Sequence, residues 1–230
     1  MSGVVGVIAN DAGRYTLFTM ALTGMRVPPN TAIEFGLTSD RSVGRNAIVK
    51  RALDMGAEFL LFLDDDHVFP DNLLMRLLSH ELPIVASLYL QRATPFHAIA
   101  YDRRDEEGGY LAIQLPQHGP EDLVEVVGAG TGGMLIRSEV FHALEAKYGQ
   151  EWFTHTTAKS EDLMFCDRAI EAGFPVYVDL GARLGHLAPS AVWPTYTEGE
   201  GWQVGWTFSA SARFVVPIEE EMSAGSPVPE

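Results

Sequence analysis

The sequence predicts the α/β class, with a mostly parallel central sheet. Two observations carry that expectation. Apolar runs without alternation recur along the chain, the clearest being FLLFL at residues 59–63; strands buried on both faces, as in the middle of a parallel sheet, read this way. Segments of helical spacing stand between these runs, as crossovers between parallel strands require. The composition suits one sizeable core: 230 residues, 47% hydrophobic and 20% charged.

In chain order, residues 4–9 read as a first buried strand with a polar end at Asn10, Asp11 and Gly13. Residues 15–22 form a helix closed by Gly24, and Pro28 and Pro29 mark a turn before a short strand over 32–37. Ser42 is a candidate cap for the next helix, where Ile48, Ala52 and Met55 fall at helical spacing and Gly56 is the stop. Arg41, Arg45 and Asn46 lie near that helix's start. Free N–H groups, partial positive charge and guanidinium donors together suit a diphosphate; the plain alternative is solvated arginines.

The strand at 59–63 comes next. Beyond its acidic end, Pro70 and Asp71 open a helix with Leu73, Leu74, Leu77 and Leu78 on one face, broken by Pro83. A strand over 84–90 leads to Gln91 and Arg92. The run DRRDEEGG, 102–109, reads as a solvated hairpin tip between strands at 98–101 and 110–115. A strand at 123–127 enters GAGTGGMLIR, 128–137, whose glycines imply close backbone approach to a ligand, or a bulge. A strand resumes at 134–136, and Ser138 caps a helix ending near Gly149. Ser160 caps another, with Leu163, Cys166 and Ile170 on one face and Gly173 as its stop. A last core strand, 176–179, precedes Gly185 and His186. Past Leu187 the pattern fades, and Trp193, Trp202 and Trp206 sit among Gly, Pro, Thr and Glu. That segment is either a lid with aromatic contacts to a sugar or base, or an arm packed on the core. The expected organisation is a catalytic unit over 1–186, the lid or arm over 187–216, and an acidic, Pro/Ser-rich disordered tail over 217–230.

Asp64, Asp65 and Asp66, followed by His67, end the apolar strand. Ligands of open α/β sheets bind beyond the carboxyl ends of strands. Unpaired carboxylates repel one another, and a core does not tolerate them. A hard divalent cation with oxygen ligands would keep them ionised and close; the plain alternative is a solvated acidic turn. Glu161 and Asp162, in the first turn of their helix, either complement its dipole or keep a carboxylate ionised for chemistry. A lone histidine such as His186 is more often a packed or surface residue than a ligand.

The formal charge of −15 argues against generic nucleic-acid binding, though not against a small anion bridged by a cation. The single cysteine, Cys166, excludes an internal disulfide and fits a reducing cytosol. No apolar run of about 18 residues suggests a membrane span, and the first residues lack the features of a signal peptide. A cytoplasmic location is expected.

Five features, in this order, resemble the GT-A glycosyltransferases, and in particular their family 2-like members. They are Arg45-Asn46 on a helix, the strand ending in a DxD at Asp64 to Asp66, the stretch GAGTGGMLIR, the S-E-D helix start at Ser160 to Asp162, and Gly185-His186 after the last core strand. The resemblance implies a Rossmann-like three-layer α/β/α sandwich. It also implies a nucleotide-sugar donor, a UDP- or GDP-sugar, whose diphosphate is held through Mn²⁺ or Mg²⁺. Asp66 would be the main metal ligand, His186 would complete the site, and Asp64 would contact the ribose or sugar and share the metal. Arg45 would touch the diphosphate or lie beside the base, with Arg41, Asn46 and Asp65 around the donor. Asn10 and Asp11 would lie by the base, and Gly132 and Gly133 would pass under the donor sugar. Asp162, or else Glu161, would be the general base of an inverting hexosyl transfer, taking the proton of an acceptor hydroxyl; in a retaining member it would only position the substrate. Two other readings stand beside this one. Asp64-x-Asp66-x-Val68 fits the DxDx(T/V) motif of haloacid-dehalogenase-type phosphohydrolases, although that motif usually follows the first strand and here two strands precede it. The same fold could also serve as a non-catalytic sugar- or nucleotide-binding module.

Overall fold

The apolar run at 59–63 lies in the middle of a large sheet. The computed structural model describes residues 1–9, 16–92, 95–187, 191–209 and 212–217. In chain order the elements are β1 (Gly3–Ala9), α1 (Thr16–Gly24), β2 (Thr31–Leu37), α2 (Arg41–Asp54), β3 (Phe59–Asp64), β4 (His67–Val68), α3 (Leu73–Ser79), β5 (Ile84–Leu88), β6 (Ala100–Arg104), β7 (Tyr110–Ala112), β8 (Leu123–Val126), β9 (Gly128–Ala129), β10 (Gly133–Arg137), α4 (Ser138–Tyr148), α5 (Glu161–Glu171), β11 (Val176–Arg183), β12 (Gly185–Leu187), β13 (Ala191–Thr197), β14 (Gly201–Ser209) and β15 (Ala212–Pro217). The expected donor residues Asn10 and Asp11, and the tail from 218 to 230, lie outside the described residues.

The main sheet has the order β2-β1-β3-β10-β5-β11-β8. Strands β2, β1, β3, β5 and β11 point one way; β10, between β3 and β5, and β8, at the edge, run antiparallel to them. Every residue of β3 from Phe59 to Leu63 is buried, as is all of β1. Each large apolar side chain so buried contributes about 1.5–3 kcal/mol, which forces this run to the centre. Ile48 and Val49 of α2, Phe141 of α4 and Phe165 of α5 belong to one core cluster. Phe18 of α1 and Leu73, Leu74 and Leu77 of α3 belong to the other. Helices therefore cover both faces, and the three-layer α/β/α arrangement with a mostly parallel sheet is as the sequence predicts. The outermost strands, β2 and β8, each carry a glutamate. Glu34 pairs with Arg51 at 2.7 Å, and Glu125 accepts from the Tyr177 hydroxyl at 3.2 Å.

Local signals differ from expectation at three helix starts. Asp40, not Ser42, caps α2: its Oδ1 accepts from the N–H groups of Ser42 and Val43 at 2.9 and 3.2 Å, a cap worth about 1 kcal/mol. Ser42 lies inside the first turn, and its hydroxyl meets the His155 ring at 3.0 Å. Ser138 is the first residue of α4 and donates to the Ala57 carbonyl, while Arg137 holds the cap position. Helix α3 starts at Leu73 with Asn72 in the cap position and no side-chain cap bond, while the Asp71 carboxylate pairs with Arg26 at 3.1 Å. Gly173 does end α5, with a φ of +91° that favours glycine.

Past Leu187, where no pattern was legible, the described residues 191–209 and 212–217 mostly form strands. Strands β13, β14 and β15 extend an antiparallel sheet of order β15-β14-β13-β12-β4. Val192, Trp202 and Val204 from this sheet enter the main core, and the expected division after His186 falls inside β12. The pairing of β4 with β12 sets His67 opposite His186. No described helix is long and apolar enough to cross a membrane.

Candidate functional site

The site is built where β3 ends. The turn at Asp65 and Asp66 is tied to two strands: the Asp65 N–H donates to the Ile8 carbonyl at 3.1 Å, and the Leu187 N–H donates to the Asp66 carbonyl at 2.7 Å. The chain then re-emerges as β4. This is the carboxyl end of β1 and β3, where α/β sheets form their ligand crevice.

His67 is fully buried, with Nδ1 at 2.9 Å from the Gly132 carbonyl. A carbonyl can only accept, so Nδ1 carries the proton and Nε2 the lone pair. His186 has the same arrangement, with Nδ1 at 2.8 Å from the Leu90 carbonyl. Asp66 completes the group. Its Oδ2 stands 3.1 Å from an Arg92 nitrogen and 3.6 Å from His186 Nε2. One ligand atom from each of Asp66, His67 and His186 lies within 4.8 Å of the others. Asp66 Oδ1 and His67 Nε2 are buried with no hydrogen-bond partner among the described residues. Burial pushes the Asp66 carboxyl up, but His186 and His67, once protonated in acid, and Arg92 outweigh it and hold it at about 2. Burial pushes the His67 imidazolium down, so the ring is neutral near pH 7. Orphaned acceptors of this kind, converging on one space, fit a cation.

Arg45 links this turn to α5. It is 2% exposed; Nη2 donates to Asp64 Oδ1 at 3.0 Å, and Nη1 donates to Glu161 Oε1. Burial disfavours its charge, but Asp64, Glu161 and Asp162 outweigh burial and raise its pKa. The guanidinium serves two carboxylates of its own chain, where the sequence suggested a diphosphate. Asn46 is likewise committed. Its side-chain amide donates to the Phe153 carbonyl and accepts from the Phe153 N–H, both at 2.8 Å, so it clamps the segment before α5. Arg41 is exposed at the first residue of α2.

At the start of α5, Asp162 Oδ1 accepts from the Ser160 hydroxyl and from the Leu163 N–H at 2.8 Å. Burial pushes the Asp162 carboxyl above its usual range, against the pull of Ser160 and Arg45. Glu161 is held in its ion pair with Arg45. Asp162 Oδ2 takes no hydrogen bond among the described residues.

The glycine-rich turn approaches the protein's own side chains. A Cβ on Gly132 would stand 2.3 Å from His67 Cε1 and 2.9 Å from Asp64 Oδ2, and one on Gly130 would stand 1.9 Å from the Tyr89 hydroxyl. On Gly133 it would meet Leu184 at 2.5 Å. The Gly132 N–H donates to that hydroxyl at 3.3 Å, and the Tyr89 ring packs on His67 with centroids 4.5 Å apart. Of the sequence candidates, the structure gathers Arg45, Asp64, Asp66, Glu161, Gly132 and His186 around the end of β3. Asp64 stands outside the three-residue group because Arg45 engages it. His67, Tyr89 and Arg92 join the site without having been expected there.

No protein-family model matches the chain, and no curated protein matches it. Among solved structures, A197 from STIV superposes with a TM-score of 0.59 at 18% identity, over 84% of this chain and 90% of that one. The fold is GT-A-like. S. aureus TarS 1-349 in complex with UDP-GlcNAc gives a TM-score of 0.48 at 14% identity, over 78% of this chain and 55% of that one. Likeness at these identities is likeness of fold. In this GT-A-like frame the acidic turn, the glycine-rich turn and the start of α5 meet at one end of the sheet.

Proposed function

We infer that the protein is a metal-dependent glycosyltransferase that moves a sugar from a nucleotide-diphosphate-sugar, a UDP- or GDP-sugar, to an acceptor hydroxyl with inversion. The observation that carries this reading is the buried Arg45 bridge. It joins Asp64, beside the cation-ready Asp66, to Glu161, beside the proton-hungry Asp162. Transfer from a diphosphate needs both: a place for a cation at the leaving group and a base at the nucleophile.

Asp66 and His186 would hold Mn²⁺ or Mg²⁺. A cation bound there supplies Lewis-acid neutralisation of the departing nucleoside diphosphate. Asp162 Oδ2 takes the proton of the acceptor hydroxyl as its oxygen bonds to the anomeric carbon and the diphosphate leaves. Glu161 and Arg45 position rather than react. The Arg45 bond to Asp64 Oδ1 also speaks against a phosphohydrolase that uses Asp64 as nucleophile.

The test is thermal unfolding with a panel of nucleoside diphosphates and nucleotide sugars, with and without Mn²⁺. A ligand at about 100 times its Kd adds about 2.7 kcal/mol. The expected result is stabilisation by one nucleotide that depends on Mn²⁺ and is lost in Asp66→Ala. A folded Asp66→Ala protein with full transfer activity would overturn the reading.

A further inference from the structure

We propose that His67 is a metal ligand, and that with Asp66 and His186 it forms a two-histidine, one-carboxylate centre that takes Mn²⁺ and later first-row divalent ions in preference to Mg²⁺ or Ca²⁺. This deepens the reading above and shares its metal, but not its donor or its reaction.

Three observations converge. The pairing of β4 with β12 sets His67 directly opposite His186, and the ring centroids are 4.7 Å apart. Each ring spends its Nδ1–H on a backbone carbonyl, Gly132 for one and Leu90 for the other. Ligating histidines are oriented in this way, and it leaves both Nε2 lone pairs for a metal. His67 Nε2 and Asp66 Oδ1 are both buried and without partners among the described residues. Two lone pairs and a carboxylate facing one another repel unless a cation stands between them.

The dimensions are close to those of a bound ion. Neighbouring ligand atoms at about 2.0–2.2 Å from one tetrahedral ion stand about 3.3–3.6 Å apart; Asp66 Oδ2 and His186 Nε2 are already 3.6 Å apart, and the whole set, within 4.8 Å, would close by about 1.5 Å at most. Asp66 Oδ2 lies near both Arg92 and His186 Nε2, and Oδ1 is buried without a partner among the described residues. The donor set decides the metal. Mg²⁺ and Ca²⁺ favour all-oxygen shells, whereas imidazole nitrogen favours first-row transition ions.

The experiment uses the full chain and the metal salts alone. Titration calorimetry with Mn²⁺, Co²⁺ and Mg²⁺ is expected to give binding about tenfold or more tighter for Co²⁺ and Mn²⁺ than for Mg²⁺. His67→Asn keeps an amide donor for the Gly132 carbonyl and removes the lone pair; it should weaken Co²⁺ by about 10–100-fold. Should that variant fail to fold, electron spin-echo spectroscopy of the unmodified protein with Mn²⁺ decides, since two histidine nitrogens should modulate the echo. Equal affinity for Mg²⁺ and Mn²⁺, one histidine nitrogen in the echo, or no binding of any of the three ions would overturn the proposal. Metal-dependent nucleotide binding with a one-histidine echo would sink His67 alone. A two-histidine echo with no nucleotide response would sink the transferase reading alone.

Discussion

Arg45→Met removes the charge from a side chain that is 2% exposed. It leaves Asp64 and Glu161, with side chains 25% and 11% exposed, without their shared counter-ion. Breaking a buried pair by deleting one partner costs about 3–5 kcal/mol. Water reaches a quarter of Asp64 and takes up part of the lost contact, so the low end, about 3 kcal/mol, is expected. In a chain of this length that corresponds to a fall in Tm of roughly 6–12 °C. The assay is urea unfolding followed by circular dichroism at pH 7, on Arg45→Met and on Arg45→Met/Glu161→Gln. The second change neutralises the more buried orphan, and should restore about 1–2 kcal/mol. A loss under about 1 kcal/mol, the range of exposed pairs, would refute the bridge. So would a double variant less stable than the single one.

Further outcomes follow from the same geometry. Asp179 is 0% exposed and takes Nε and Nη2 of Arg76 at 2.6 and 2.7 Å; Arg76→Ala should cost about 3 kcal/mol in urea unfolding. Burial pushes the Asp179 carboxyl up, but Arg76 and His80 outweigh it and the net shift is downward. Its contribution is therefore present above the unfolded value and lost as pH falls through the folded one, so the gap between wild type and Arg76→Ala should close below pH ~3.9. Asn46→Ala removes two 2.8 Å bonds to Phe153 and should cost about 1–3 kcal/mol by the same measurement. In the proposed mechanism transfer needs ionised Asp162, whose carboxyl burial raises. The pH profile of kcat/KM should therefore fall on its acid side at a value above the ~3.9 of a free aspartate; an acid limb at or below that value would remove Asp162 as the base.

Much of the scaffold was legible because burial writes itself into composition. A strand buried on both faces has to read as FLLFL, and a carboxylate run at its end has to lie in a crevice or in water. The partners of the polar residues were not legible. Arg45 and Asn46 near a helix start look like phosphate donors from sequence, and only the approach of α5 and the segment at Phe153 shows that both are engaged within the chain, Arg45 through Nη1 and Nη2. A histidine after an acidic run, such as His67, is ambiguous until β12 pairs with β4. Its one sequence trace is its place directly after Asp66. The sheet past residue 187 escaped because Pro194, inside β13, argues against a strand, and because scattered tryptophans and glycines mask the alternation.

The glutamates of the two outermost strands bear on how copies of this chain meet one another. An outermost strand offers unpaired backbone groups, and a second molecule could add to it. Glu34 lies in the middle of β2, and Glu125 lies within β8. Any two such edges brought together would set carboxylates near carboxylates, in a chain whose formal charge is already −15. Arg51 matches the Glu34 charge within one copy, so the repulsion would act chiefly through Glu125 and through the net charge of the chain. Glu125→Val, which keeps β propensity and removes the charge, is where loss of that protection would surface as turbidity on concentration.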